Sequence, residues 1–150
     1  MTDAILQTPG QAEAAFYSAI ESSDLDAMMA VWSNDSDIVC IHPHGPRLIG
    51  PQEIREGWRQ IMVHSPRMHF SIAHLNTVHN EDLAIRFVNE SIHVDDEDDS
   101  DFTILATNVY RRMPDGWRII LHHASPTPEA LQNIMGSTEE SEDGGEVTFH

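Results

Sequence analysis

HFSIAHLNTVHNEDLAIRFVNESIHV (residues 69–94) and FTILATNVYRRMPDGWRIILHHAS (residues 102–125) decide the fold. Apolar and polar residues alternate through both stretches, the two-residue period of strands that bury one face. Four strands are expected, at 69–79, 82–94, 102–112 and 117–125. Asn80-Glu81-Asp82 and Met113-Pro114-Asp115-Gly116 read as hairpin connections, and the acidic run 95–101 reads as a longer solvated one, so the strands form a meander.

Upstream of this block the period is that of helices. Thr8-Pro9-Gly10-Gln11 has the form of a helix start: Thr8 as N-cap, Pro9 in the first turn and Gln11 able to complete a capping box. Ala12, Phe16, Ala19 and Ile20 then share one face. Asp24 opens a second helix carrying Leu25, Met28, Met29 and Trp32 at helical spacing. Residues 37–42 read as a short strand ended by the Pro43-His44-Gly45-Pro46 turn. A third helix starts at Gly50-Pro51, with Glu53 at its positive end and Ile54, Trp58, Ile61 and Met62 on one face. Helices followed by an antiparallel meander predict an α+β fold, in which N-terminal helices pack on one face of a strongly curved antiparallel sheet, a cone-shaped roll. One domain is expected over residues 1–136, including a short helix after Pro128, followed by an acidic, disordered tail over 137–150.

The 150 residues carry a formal charge of −17, yet eleven of the 25 acids lie in 95–101 and in the stretch after Gly136. All eight cations are Arg, and they are scattered. Such a field repels phosphate backbones and anionic headgroups, so neither nucleic acid nor membrane is expected as a partner. One cysteine, Cys40, in an apolar run excludes an internal disulfide framework and fits a reducing, cytoplasmic location. The sequence has neither a signal-peptide pattern nor an apolar run of transmembrane length.

Three segments carry a family resemblance. Phe16-Tyr17-Ser18-Ala19-Ile20-Glu21-Ser22-Ser23-Asp24-Leu25-Asp26, Ile41-His42-Pro43 through Leu48-Ile49-Gly50, and Tyr110-Arg111-Arg112 through Trp117 to His122-His123-Ala124-Ser125 are similar to the first helix turn, the short strand and the final hairpin of the nuclear transport factor 2-like (SnoaL-like) superfamily. Leu83-Ala84-Ile85-Arg86 and Leu121-His122-His123-Ala124-Ser125 resemble strands of its calcium/calmodulin-dependent protein kinase II association-domain branch. That resemblance implies a pocket in which Arg86 takes part and Asn108 stands where another Arg is found. Resemblance to ketosteroid isomerase implies three reacting groups, but Phe16 stands where a Tyr hydroxyl is needed, with His42 near the base position. Tyr17 points about 100° from Phe16 on a helix and is not expected to replace it.

The superfamily holds enzymes, adaptors and assembly modules, so function rests on the site. His42, Trp58, Arg86, Asn108, Tyr110 and His123 are the expected ligand-binding residues, with His42 and His123 as candidate general bases. Glu90 shares a strand face with Arg86 and is a candidate partner for it, the alternative being a guanidinium that reaches water. No metal ligands converge in sequence and no phosphate loop occurs, so neither metal nor cofactor is expected. The reading is a small-molecule-binding protein whose specific ligand is unassigned, a carboxylate or an apolar acid being one candidate. The alternatives are a cofactor-independent lyase, isomerase or cyclase with a histidine base, and an assembly module with a vestigial pocket. A homodimer is expected throughout, because the late strands carry apolar residues on both faces.

Overall fold

A computed structural model describes residues 6–95 and 101–128. Most of the acidic run, the segment after Pro128 and the tail lie outside these residues. The first helix, α1 (Pro9–Glu21), is capped by Thr8, whose hydroxyl accepts from the Gln11 backbone N–H. The Gln11 side chain reaches back to the N–H of Gln7, one residue earlier than a standard capping box. Asp24 caps α2 (Leu25–Val31) by accepting from the Ala27 N–H. The short strand β1 (Val39–Ile41) turns through His42 to Pro46 into β2 (Arg47–Ile49), which pairs back on it. This second short strand is an addition to the expected order, since three residues are too few for alternation to register. The third helix, α3 (Gly50–His64), has the Glu53 carboxylate over its first turn, accepting from the Ile49 N–H.

The long strands β3 (Met68–His79), β4 (Leu83–Val94), β5 (Asp101–Met113) and β6 (Gly116–Pro126) form the expected meander. The six strands make one curled, unclosed sheet in the order β2-β1-β6-β5-β4-β3, antiparallel except for the β1–β6 pair. Two bulges shape it. Leu75 is the extra residue in β3, and Ile120 is the extra residue in β6, where Val109 pairs with Leu121 but Tyr110 pairs with Ile119. Each bulge bends its strand and reverses which side chains face inward beyond it.

The helices pack into the concave face. Phe16 meets Tyr17, Trp32 and Trp58 edge to face, with ring centroids 4.9 to 6.4 Å apart. A second apolar cluster, with Val88, Ile92, Ile104, Ala106 and Ala124, is built from β4, β5 and β6. Among the described residues, no helix is long and apolar enough to cross a membrane.

Candidate functional site

Where the two clusters meet, a cavity of about 280 Å³ opens between α3 and the concave sheet face. Trp58, Ile61 and Ser65 line it from α3 and its end, Ile20 from α1, and Met68, Phe70, Ile92, Phe102, Ile104 and Ala124 from the sheet. Three groups in this apolar wall are polar in a way that matters: His42, Glu90 and His122. Apolar walls with a few convergent polar groups are the usual form of a small-molecule site.

A buried chain of hydrogen bonds fixes two of the three. Register aligns Arg86, Asn108, His122 and Cys40 across four adjacent strands, all on the inner face. His122 Nδ1 lies 2.6 Å from Asn108 Oδ1, Asn108 Nδ2 donates to the Tyr17 hydroxyl at 2.9 Å, and that hydroxyl donates to Glu90 Oε2 at 2.5 Å. An amide oxygen only accepts, so the neutral His122 ring carries its proton on Nδ1 and leaves Nε2 as a lone-pair acceptor. Every donor in the chain therefore points toward Glu90. Burial raises the Tyr17 hydroxyl far above its ordinary range, which keeps it protonated and donating. The hydrogen bonds of Glu90 and His122 run through Oε2 and Nδ1, and in the same wall the Trp58 Nε1–H is buried without a partner among the described residues.

Burial also sets the charges. It pushes the Glu90 carboxyl up to about 7; the Tyr17 hydrogen bond opposes the shift, and Glu13 adds to it. Desolvation lowers His42 to about 4 and His122 to about 3, so both rings are neutral near pH 7. His42 stands edge-on to the Trp58 ring at 4.6 Å, with Nε2 3.6 Å from the Cys40 sulfur.

The residues expected from the sequence fall into three groups. His42 and Trp58 line the cavity. Asn108 is fully buried behind the wall, where it holds His122 and Tyr17. Arg86, Tyr110 and His123 are not among the residues lining it. Arg86 lies on the inner face but binds Glu13, not Glu90, at 3.0 Å, and Glu13 also meets His74 Nε2 at 2.5 Å. Tyr110 is fully buried in the helix-side core, and His123 is exposed. The histidine exchange follows from the Ile120 bulge: unbroken alternation from the buried Trp117 and Ile119 leads to His123, and the extra residue turns His122 inward instead.

Tyr17, Glu90, His122 and Phe70 were not among the expected site residues. A signal for Tyr17 exists in α1, where Glu13, Tyr17 and Glu21 recur every four residues and so share a face. Glu13 binds Arg86, Tyr17 binds Glu90, and Glu21 accepts from the Phe70 N–H at 2.7 Å. This polar stripe ties the helix to β3 and β4.

The sequence profile of the SnoaL-like domain matches residues 11–129. Among solved structures, a Thiobacillus denitrificans protein named for the calcium/calmodulin-dependent protein kinase type II association domain is 40% identical, with a TM-score of 0.78 over 83% of this chain and 99% of that one. A Streptomyces avermitilis protein of the NTF2-like family, named as a dehydratase, is 30% identical, with a TM-score of 0.72 over 79% of this chain and 92% of its own. The Arabidopsis thaliana F-box protein SKIP8 is 26% identical over 110 residues, and that match spans 73% of this chain but only 46% of the F-box protein. The fold, the extent of the profile match and the 40% identity together place the chain in the SnoaL-like domain family, within the NTF2-like superfamily.

Proposed function

We propose that the protein binds a small, largely apolar organic molecule in the cavity between α3 and the sheet. One observation carries this reading: an apolar wall holds the Glu90 carboxyl, the His122 imidazole acceptor and the Trp58 indole N–H, the last buried without a partner among the described residues. Burying such groups is costly unless a partner completes their hydrogen bonds, and a ligand or water in the cavity would do so. The test is a ligand screen by thermal shift on the protein and on Ile92→Trp, which fills the cavity. Compounds that raise the melting temperature of the former and not the latter support the reading, and equal shifts in both exclude the cavity as the binding place.

A second reading is cofactor-independent proton transfer on the bound molecule. A carboxyl with a pKa near 7 can both take and release a proton at neutral pH, so Glu90 suits general acid–base work better than either depressed histidine. A pH–rate profile with an inflection near 7, lost in Glu90→Gln, would support it. We further propose a cytoplasmic homodimer: the free Cys40 fits a reducing compartment, and the convex face carries Ile85, Phe87, Leu105 and Val109.

A further inference from the structure

We propose that the cavity takes a small organic amine as its ammonium ion, with the ammonium hydrogen-bonded to Glu90 and the apolar body lying against Phe70, Ile92, Phe102 and Trp58. This rests on the ligand-binding reading and names the class of molecule.

The hydrogen-bond chain decides the polarity of the wall. His122 gives its one proton to Asn108, so its remaining nitrogen can only accept. Glu90 receives the Tyr17 proton on one oxygen, and its ionised form leaves the other as an acceptor. At Glu90 and His122 the wall thus presents two acceptors, and a ligand reaching them must bring the donors; the buried Trp58 Nε1–H, unpaired among the described residues, is a donor that the wall itself offers. Charge points the same way. None of the described residues lining the cavity is Arg or Lys, and the nearest inner-face cation, Arg86, is held by Glu13. A carboxylate ligand would enter a desolvated space facing Glu90 with no counter-charge in the wall, so an anionic ligand is disfavoured. An ammonium gains there the partner that a buried cation requires.

Aromatic faces add to the preference. Phe70 meets Tyr17 at a tilt of 42°, with centroids 5.4 Å apart; Tyr17 is bonded to Glu90, and Phe70 lies two positions from Ile72, the residue paired with Glu90 across β3 and β4. A cation at Glu90 would share the cavity with the Phe70 and Trp58 rings, and attraction between a cation and a ring face grows when water is excluded. The formal charge of −17 draws cations toward the molecule in general.

The experiment compares three probes with one apolar body, 2-phenylethylamine, 2-phenylethanol and phenylacetate, by calorimetric titration of the whole protein at pH 6 and pH 8, with Glu90→Gln alongside. The amine is expected to bind most tightly at pH 8, about tenfold more weakly at pH 6 as Glu90 takes up its proton, and about tenfold or more weakly in Glu90→Gln, while the alcohol holds its affinity in all three conditions. Equal or tighter binding of phenylacetate overturns the inference, as does an amine affinity indifferent to both pH and the substitution, or an alcohol that matches the amine at pH 8. The pH comparison needs only the unmodified protein, so it decides the matter even if Glu90→Gln does not fold. If the alcohol or the acid binds and the amine does not, the amine inference fails and the cavity reading survives; if none of the three binds, both fail.

Discussion

Single residues in this molecule leave opposite signatures on stability. The folded Glu90 carboxyl sits at about 7 against an ordinary 4.5, so the folded state holds its proton more tightly than the unfolded chain does. Its contribution is fully present below pH 4.5 and is lost as pH rises toward 7, a change of about 3 kcal/mol. His42 and His122 are depressed from 6.5, so their contribution is present above pH 6.5 and is lost as pH falls toward 4 and 3. The slopes oppose each other between pH 4.5 and 6.5, and the isosteric variant separates them. Glu90→Gln should gain on the unmodified protein by about 3 kcal/mol between pH 4.5 and 7 in denaturant melts, and parallel pH profiles would contradict the buried, proton-holding carboxyl. Tyr17→Phe tests the chain differently. It strips the donor from Glu90 and the acceptor from Asn108, so a loss of roughly 1–3 kcal/mol is expected, with the Glu90 inflection moving further up because the bond that favoured its charged form is gone.

This residue scale is also where the sequence was least legible. His42 was expected in the wall from the family resemblance and from the chemistry of an imidazole, and Trp58 from its place on the apolar face of the third helix; both line the cavity. Tyr17 was set aside because Phe16 occupies the familiar position and a helix turns about 100° per residue. That rotation is what brings Tyr17 over β4 to meet Glu90 while Phe16 enters the aromatic core. Arg86 and Glu90 do share a strand face, but alternation cannot tell which helix group reaches each of them, and α1 supplies Glu13 to one and Tyr17 to the other.

At the scale of elements, local rules carried further. The caps at Thr8 and Asp24, the Pro-led start of α3 and the hairpins were all readable from side-chain chemistry at fixed offsets. Bulges were not, because Leu75 and Ile120 differ in no local way from their neighbours and become extra only through pairing with another strand. Hairpin β5–β6 does contain a position with a sharp local demand. Gly116 has φ +119, and a Cβ there would stand 2.8 Å from the Leu6 carbonyl oxygen, beside the bond from the Trp117 N–H to that same oxygen. Both the backbone angle and the approach require glycine. Gly116→Ala should therefore cost about 1–3 kcal/mol, measured by urea melts. A cost below a few tenths would mean that neither the backbone angle nor the approach of Leu6 constrains the hairpin.

For the whole molecule, the open question is what covers the convex side of the sheet. A curled antiparallel sheet with helices filling its hollow has one solved face and one unsolved one. The convex positions of β4 and β5 include Ile85, Phe87, Leu105 and Val109, all half-buried within the single chain. Adjacent apolar strand positions of this kind form a patch, and exposed patches on soluble proteins commonly mark association surfaces. A two-fold pairing of convex faces would bury such a patch against its own copy, which the closed symmetry of most homo-oligomers favours. Like charge opposes association, but ten of the 25 acids lie in 95–99 and the stretch after Gly136 rather than within β4 and β5. The expected solution mass is therefore twice 16.9 kDa, read by light scattering on the eluting peak. Val109→Asp places a carboxylate in the middle of the patch while leaving the concave side untouched, and should yield a folded species of single-chain mass. A protein that runs at 16.9 kDa before any substitution would remove the dimer, whereas a dimer indifferent to Val109→Asp would move the contact to another face.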